Sequence, residues 1–280
     1  MDMTVFFTVY YVIFFTLIGI VLGSFLNVVI YRLPVGRTIS KGRSMCMTCG
    51  HTLAAKDLVP LFSWLFLKGK CRYCGAPVAS RYAKIESLTG FTFLTIALGN
   101  LYLVNELLTV YGSNAGFLLL GAFLYMIVMC CVISAMMIWH DTFKGMVQPA
   151  VVALILAFAT NIPGILNNPE SIIRAFTTFV LCIAPIPLID LIGYSVRKKK
   201  YTRDDLFLDL TLACQVAAGG TSIISTYFHP AFIVITVIIS SIGRIILKGT
   251  SKDKYAGIVS FCTNLLMLII TCVINLISNY

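Results

Sequence analysis

The sequence predicts an all-α integral membrane protein of about eight transmembrane helices, with one small polar segment on the cytoplasmic side after the first helix. Three observations carry that prediction. Of 280 residues 59% are hydrophobic and 11% charged, too few charges to clothe a soluble globule and too apolar a chain for disorder. Eight stretches reach or approach the roughly 20 apolar residues that a bilayer requires: 4–31, 87–105, 114–139, 147–165, 172–196, 206–226, 229–247 and 256–278. Finally, the 21 Lys and Arg, which outnumber 11 Asp and Glu to give a net charge of +10, fall almost entirely on one side of that layout.

The first stretch lacks a basic amino-terminal region and is longer than a signal-peptide core, so it is expected to be a retained helix. Within it Gly19 and Gly23 form a small-xxx-small surface, suited to close packing inside the molecule or, as the alternative, between two copies. The segment that follows, 32–85, carries ten basic residues: Arg32, Arg37, Lys41, Arg43, Lys56, Lys68, Lys70, Arg72, Arg81 and Lys84. By the positive-inside rule it is cytoplasmic. Alternating crossings then put Lys144, the run Arg197 to Arg203, and Arg244 to Lys254 on the same side, leaving only Arg174 outside. The charge therefore reads as topology and not as a nucleic-acid patch. The chain divides into a first helix (1–31), the polar segment (32–85) and a seven-helix membrane domain (86–280).

The polar segment holds Cys46-Met-Thr-Cys49-Gly50 and Cys71-Arg-Tyr-Cys74-Gly75. Each unit is a tight turn that aims two thiolates at one point, and four such thiolates make a closed tetrahedral zinc site. Two disulfides are the alternative, disfavoured by a reducing cytoplasm. A metal here is structural, because no coordination position stays open.

Acidic side chains at membrane depth are functional candidates. Glu86, Asp141 and Asp209 share the cytoplasmic depth, while Asp190 lies inside the fifth stretch and is expected to pair with a Lys or Arg or to serve a cation path. Two neighbouring carboxyls share a proton, so that one activates a water while the other polarises a peptide carbonyl. For Glu86 two readings stand: a charge in the active cavity that attracts a basic substrate, or a helix-entry carboxylate stabilised by nearby backbone N–H groups as the second helix starts.

The run Gly23-Ser24-Phe25-Leu26-Asn27-Val28-Val29-Ile30-Tyr31-Arg32-Leu33-Pro34, the four cysteines, Pro60-Leu61-Phe62-Ser63-Trp64, and Arg81-Tyr82-Ala83-Lys84-Ile85-Glu86 resemble, in order and spacing, the type IV prepilin peptidases. These are membrane aspartyl proteases, often also N-methyltransferases. The resemblance implies that the chain removes the short basic leader of prepilin-like or pseudopilin-like precursors, its protein partners, at the cytoplasmic face. It implies catalytic roles for Asp141 and Asp209 and places Glu86, Asn27 and Arg32 on the substrate or cofactor side. It also implies a second activity, methylation of the new amino terminus with S-adenosylmethionine, to which no residue is assigned.

Beyond about residue 90 the match rests on helix layout and the two aspartates. Met146-Val147-Gln148-Pro149 departs from the family's Ile-Pro-Asp-like turn, and Leu206-Phe207-Leu208-Asp209 lacks both glycines of its Gly-x-Gly-Asp motif. Asp204 and Asp205 are rivals for Asp209. A non-catalytic or divergent member of the same fold, and a transporter relaying protons or cations through its acids, are the competing functions.

Overall fold

The computed structural model describes residues 3–40, 42–101, 115–162, 183–222 and 230–278. Lys41, Arg174 and Cys182 lie outside the described residues. The elements are helical: α1 (Met3–Arg32), α2 (Phe62–Phe66), α3 (Arg81–Gly99), α4 (Ala115–Thr142), α5 (Val147–Ala159), α6 (Pro185–Val196), α7 (Arg203–Ser222), α8 (Pro230–Leu247) and α9 (Ala256–Ser278). Between α1 and α3 run short 3-10 turns and two isolated β-bridges.

Among the described residues, three spans are long and apolar enough to cross a membrane: Val5–Val35, Leu119–Thr142 and Asp253–Ile270. Val147–Ala159, Pro185–Val196 and Ile235–Leu247 are shorter apolar helices. The two remaining stretches expected to cross coincide with α3 and α7, whose amino-terminal ends carry Arg81, Lys84 and Glu86 and Arg203, Asp204, Asp205 and Asp209. Those charges lower their apolar character. The count of eight crossings accordingly stays with the sequence reading.

The amino-terminal half is organised by the contact of α1 with α3. A Cβ on Gly23 would stand 2.7 Å from the Cα of Glu86, and one on Gly19 would stand 2.7 Å from the Cβ of Phe93. Gly90 answers from α3, where a Cβ would meet Ile20 at 2.5 Å. The small-residue surface is thus spent on packing within the molecule.

The membrane domain is built around α4 and α7. Met126, Met129, Val132, Ile133 and Met136 of α4 are buried in one core with Leu208, Leu212 and Ala218 of α7 and Phe261 of α9. Nearly every residue from Leu208 to Ala218 is enclosed, polar ones included. Asp209 therefore belongs to the centre of the bundle, not its rim. Arg244, expected near the loop between the last two helices, is likewise 0% exposed inside α8. Its cation is not a topological signal but a core residue.

Candidate active site and metal centre

The segment between α1 and α3 contains two equivalent knuckles. In the first, the Cys46 N–H donates to the His51 carbonyl at 3.0 Å and the Gly50 N–H to the Cys46 carbonyl at 2.9 Å. In the second, Cys71 donates to Ala76 at 2.8 Å and Gly75 to Cys71 at 2.9 Å. Gly50 and Gly75 have φ of 69° and 71°, the left-handed region that favours glycine, so each Cys-x-x-Cys is followed by the residue that lets its turn close. The bridges Met45 to Thr52 and Lys70 to Pro77 tie the stems.

The four sulfurs of Cys46, Cys49, Cys71 and Cys74 lie within 4.8 Å of one another, and all four thiols are free. Tetrahedral zinc with bonds of about 2.3 Å sets its sulfurs about 3.8 Å apart, and the Cys46 to Cys74 separation is 3.8 Å. The donor set fits that ion. The N–H groups of Cys49 and Thr48 bring the Cys46 thiol down to about 6. Cys74, despite the lowering effect of the Ala76 N–H, is pushed up to about 12 by desolvation and the neighbouring thiols.

The second knuckle is braced from outside. Asp57 accepts from Arg72 Nε at 2.6 Å, Tyr73 Oη at 2.8 Å and the Ala54 N–H at 3.1 Å. Arg72 is the main reason that its carboxyl lies below the usual range. The His51 ring sits 3.7 Å from that of Tyr73, linking one knuckle to the other.

Glu86, Asn27 and Arg32 are all engaged within the protein. Glu86 Oε2 accepts the Leu61 N–H at 2.6 Å. Leu61 has φ of 62°, so this bond fixes a strained residue at the entry of α2. Glu86 thereby anchors the polar segment to the α1–α3 pair. Asn27 Nδ2 donates to the Gly23 and Tyr82 carbonyls, each at 3.3 Å, and Arg32 Nη1 to the Thr38 carbonyl at 3.2 Å.

Asp141 ends α4 at the edge of the bundle, where it pairs with Arg81 of α3 and with His140 Nδ1 at 3.0 Å. The turn after it leans on the start of α7. The Gly145 N–H donates to Asp204 Oδ1 at 3.2 Å, and a Cβ on Gly145 would fall 2.0 Å from the Asp204 carbonyl oxygen. Asp205, with Thr202, caps α7 and pairs with Lys248. Lys248 in turn lies 5.3 Å from the Trp139 ring of α4.

Asp209 occupies a different environment. Its Oδ2 accepts the Tyr201 hydroxyl at 2.8 Å, and its Oδ1 stands 3.2 Å from Arg244 Nε. The same nitrogen lies 2.6 Å from Asp190 Oδ2, while the guanidinium also reaches Ser260 at 2.5 Å and Ser241 at 3.2 Å. Asp190 thus has the basic partner expected of it. Asp141 and Asp209 are not partners of each other in any ion pair or hydrogen bond among the described residues. Sequence reading missed Arg244, although Ser240 and Ser241 one turn before it marked a polar strip inside an apolar stretch.

The family model of the Bacterial Peptidase A24 N-terminal domain matches residues 17–99. The matched range takes in the second half of α1, the four cysteines, Asn27, Arg32, Arg81 and Glu86; Asp141, Asp190 and Asp209 lie beyond it. A prepilin leader peptidase/N-methyltransferase of Myxococcus xanthus is 47% identical over 83 residues, 30% of this chain and 25% of its own. A type 4 prepilin-like proteins leader peptide-processing enzyme of Escherichia coli is 39% identical over 98 residues, 29% and 36% of the two chains. A prepilin leader peptidase/N-methyltransferase of Vibrio cholerae is 43% identical over 84 residues, 27% and 33%. The chain spans a quarter to about two fifths of the length of these and similar curated relatives. No solved structure matches it.

Proposed function

We propose that this chain is an eight-helix endopeptidase of the bacterial cytoplasmic membrane that removes the short basic leader from prepilin-like or pseudopilin-like precursors. The observation that carries the reading is the A24 N-terminal domain with its four convergent cysteines, since the relatives sharing that domain are named for leader processing. Cys46, Cys49, Cys71 and Cys74 hold a structural zinc, and the segment bearing it faces the cytoplasm. S-adenosylmethionine serves a second activity, methylation of the amino terminus that cleavage exposes.

Asp141 and Asp209 are the proposed catalytic carboxyls. Asp141 is in direct contact with the A24 domain through Arg81, at the membrane edge where a leader would meet it. An aspartyl pair needs one ionised and one protonated carboxyl close together. In the arrangement described each acid is instead bound to an arginine, so Asp141 must exchange Arg81 for substrate before it can act. Asp205, on the same face of α7 one turn nearer that edge, is the rival partner.

The arginine-bound state of Asp209 also favours a second reading, a divergent member of the fold that binds such precursors without cleaving them. One assay separates the two. The detergent-solubilised full chain is incubated with a peptide carrying a basic leader and a hydrophobic helix, and leader release is followed by mass spectrometry. Release that is lost in Asp141→Asn and in Asp209→Asn supports the dyad as assigned. Loss in Asp205→Asn with full activity in Asp209→Asn moves the second role to Asp205. No release by folded, zinc-loaded protein leaves the binding reading.

A further inference from the structure

Beside the anchor made by Glu86, α2 and the outer face of α3 border an open groove of about 550 Å³. Leu61, Trp64 and Leu65 form one wall and Leu88 and Phe91 the other, with Lys84 on the same stretch of α3 one turn nearer the polar segment. The neighbouring α2 residue Phe66 is 82% exposed. In water such a face on a five-residue helix would be costly.

Its height in the membrane follows from covalent and hydrogen-bonded geometry. The Glu86 carboxylate holds the Leu61 N–H, so α2 lies level with the first turns of α3. From that level α3 runs into its uncharged part, Ser87–Gly99. The groove therefore opens sideways at the boundary between polar segment and bilayer.

Charge identifies what fills it. Segment 32–85 carries ten basic residues and one acid, Asp57, which is already bound to Arg72. Among the described residues Lys84 has no ion pair, and its side chain is exposed at the groove. Lys68 and Lys70 flank Gly69, against which the Trp64 ring packs. The serines at positions 80 and 87 add hydroxyls to the same rim. An apolar slot under a cationic, hydroxyl-bearing rim matches an anionic amphiphile and repels a basic leader peptide.

We infer that the α2–α3 groove binds one anionic phospholipid of the cytoplasmic leaflet, with an acyl chain along Trp64, Leu88 and Phe91 and its phosphate at Lys84. The inference goes beyond peptidase activity and rests only on the membrane placement of segment 32–85.

The chain has two tryptophans, so Trp139→Phe leaves Trp64 as a reporter inside the groove. The full-length variant is placed in mixed phosphatidylglycerol–phosphatidylcholine bilayers in which one lipid or the other carries brominated acyl chains that quench tryptophan on contact. Both leaflets have the same composition, so the readout does not depend on which side the segment occupies; labelling with an impermeant amine reagent reports that side separately. Brominated phosphatidylglycerol should quench Trp64 with an apparent preference of about fivefold over brominated phosphatidylcholine, the effect of one lysine at an anionic surface. Lys84→Gln should abolish the preference while leaving contact with both lipids. Equal quenching by both lipids in the protein with Lys84 overturns the inference, as does the absence of quenching by either. If Trp139→Phe fails to fold, phosphatidylglycerol retained on purification is counted by mass spectrometry for the unmodified chain and for Lys84→Gln. Retention that is undiminished by Lys84→Gln overturns it equally.

Discussion

Arg244 is enclosed on all sides and bonded to two carboxylates and two serine hydroxyls, so its worth depends on keeping that set complete. Removing one member of a buried ionic group leaves a charge unpaired at about 3–5 kcal/mol, whereas replacing matched members together with apolar residues costs far less. Arg244→Met should accordingly destabilise the protein by that order, and Asp190→Leu in the same chain should recover part of the loss. Thermal unfolding in detergent of the single and double variants reads the difference; additive losses would show that the two residues do not act as a pair. At Glu86 the expected effect is smaller. Glu86→Ala strips the Leu61 N–H of its acceptor, an orphaned donor that costs about 1–3 kcal/mol, while Glu86→Gln keeps an oxygen in place and should lose less. Hydrogen exchange at Leu61 should rise more in the alanine variant than in the glutamine one.

These two residues also mark where the sequence was legible. The acid of each pair stood out because carboxylates are rare at membrane depth, and Asp190 was expected to seek a cation. Arg244 did not stand out, because a basic residue three positions before the end of an apolar stretch reads equally as a loop flank. Glu86 was recognised as special, but its acceptor role depends on a backbone N–H 25 residues earlier in the chain, which no local pattern encodes.

Among the elements, α1 and α3 are held by glycines whose purpose the pattern did reveal. The small-xxx-small spacing predicted a close helix contact, and the structure spends it within the molecule. Gly23→Val would drive a branched side chain into the backbone of α3 at Glu86, for which the helices must part; overpacking of this kind costs about 1–3 kcal/mol. The variant should lower the melting temperature and weaken the Glu86–Leu61 bond with it, which Leu61 exchange would detect. Unchanged stability would imply that α1 and α3 pack more loosely than the Cβ contact indicates. The two cysteine knuckles were legible for a different reason, since ligand spacing within a turn is a purely local property. The partnership of Asp209 was not, because three separate helices, α6, α7 and α8, meet there and the separation of their segments along the chain carries no register.

At the scale of the molecule, the knot and the membrane bundle contribute differently. On the zinc assignment proposed above, a segment as small and polar as 32–85 folds largely through the metal. Metal analysis of the purified chain should find about one zinc per molecule, and Cys71→Ser with Cys74→Ser should release it. Circular dichroism should then show the membrane helices largely retained, while proteolysis should open the segment between α1 and α3. A metal-free chain whose four thiols all react freely with an alkylating reagent in the native state would remove the knot from the account. The number of crossings was less accessible from sequence, because α3 and α7 bring charge to their own ends.

The Asn27 side chain spans from the end of α1 to the Tyr82 carbonyl at the start of α3, so the polar segment leaves and rejoins the bundle within one side chain's length. In topological terms it is a bead threaded on a hairpin: the two helices meet whether or not the bead is closed. Insertion of the hairpin and loading of the ion are then separable events in biogenesis. On the zinc assignment proposed above, metal starvation should accumulate protein that has reached the membrane, with its helices paired and its cysteine segment still open.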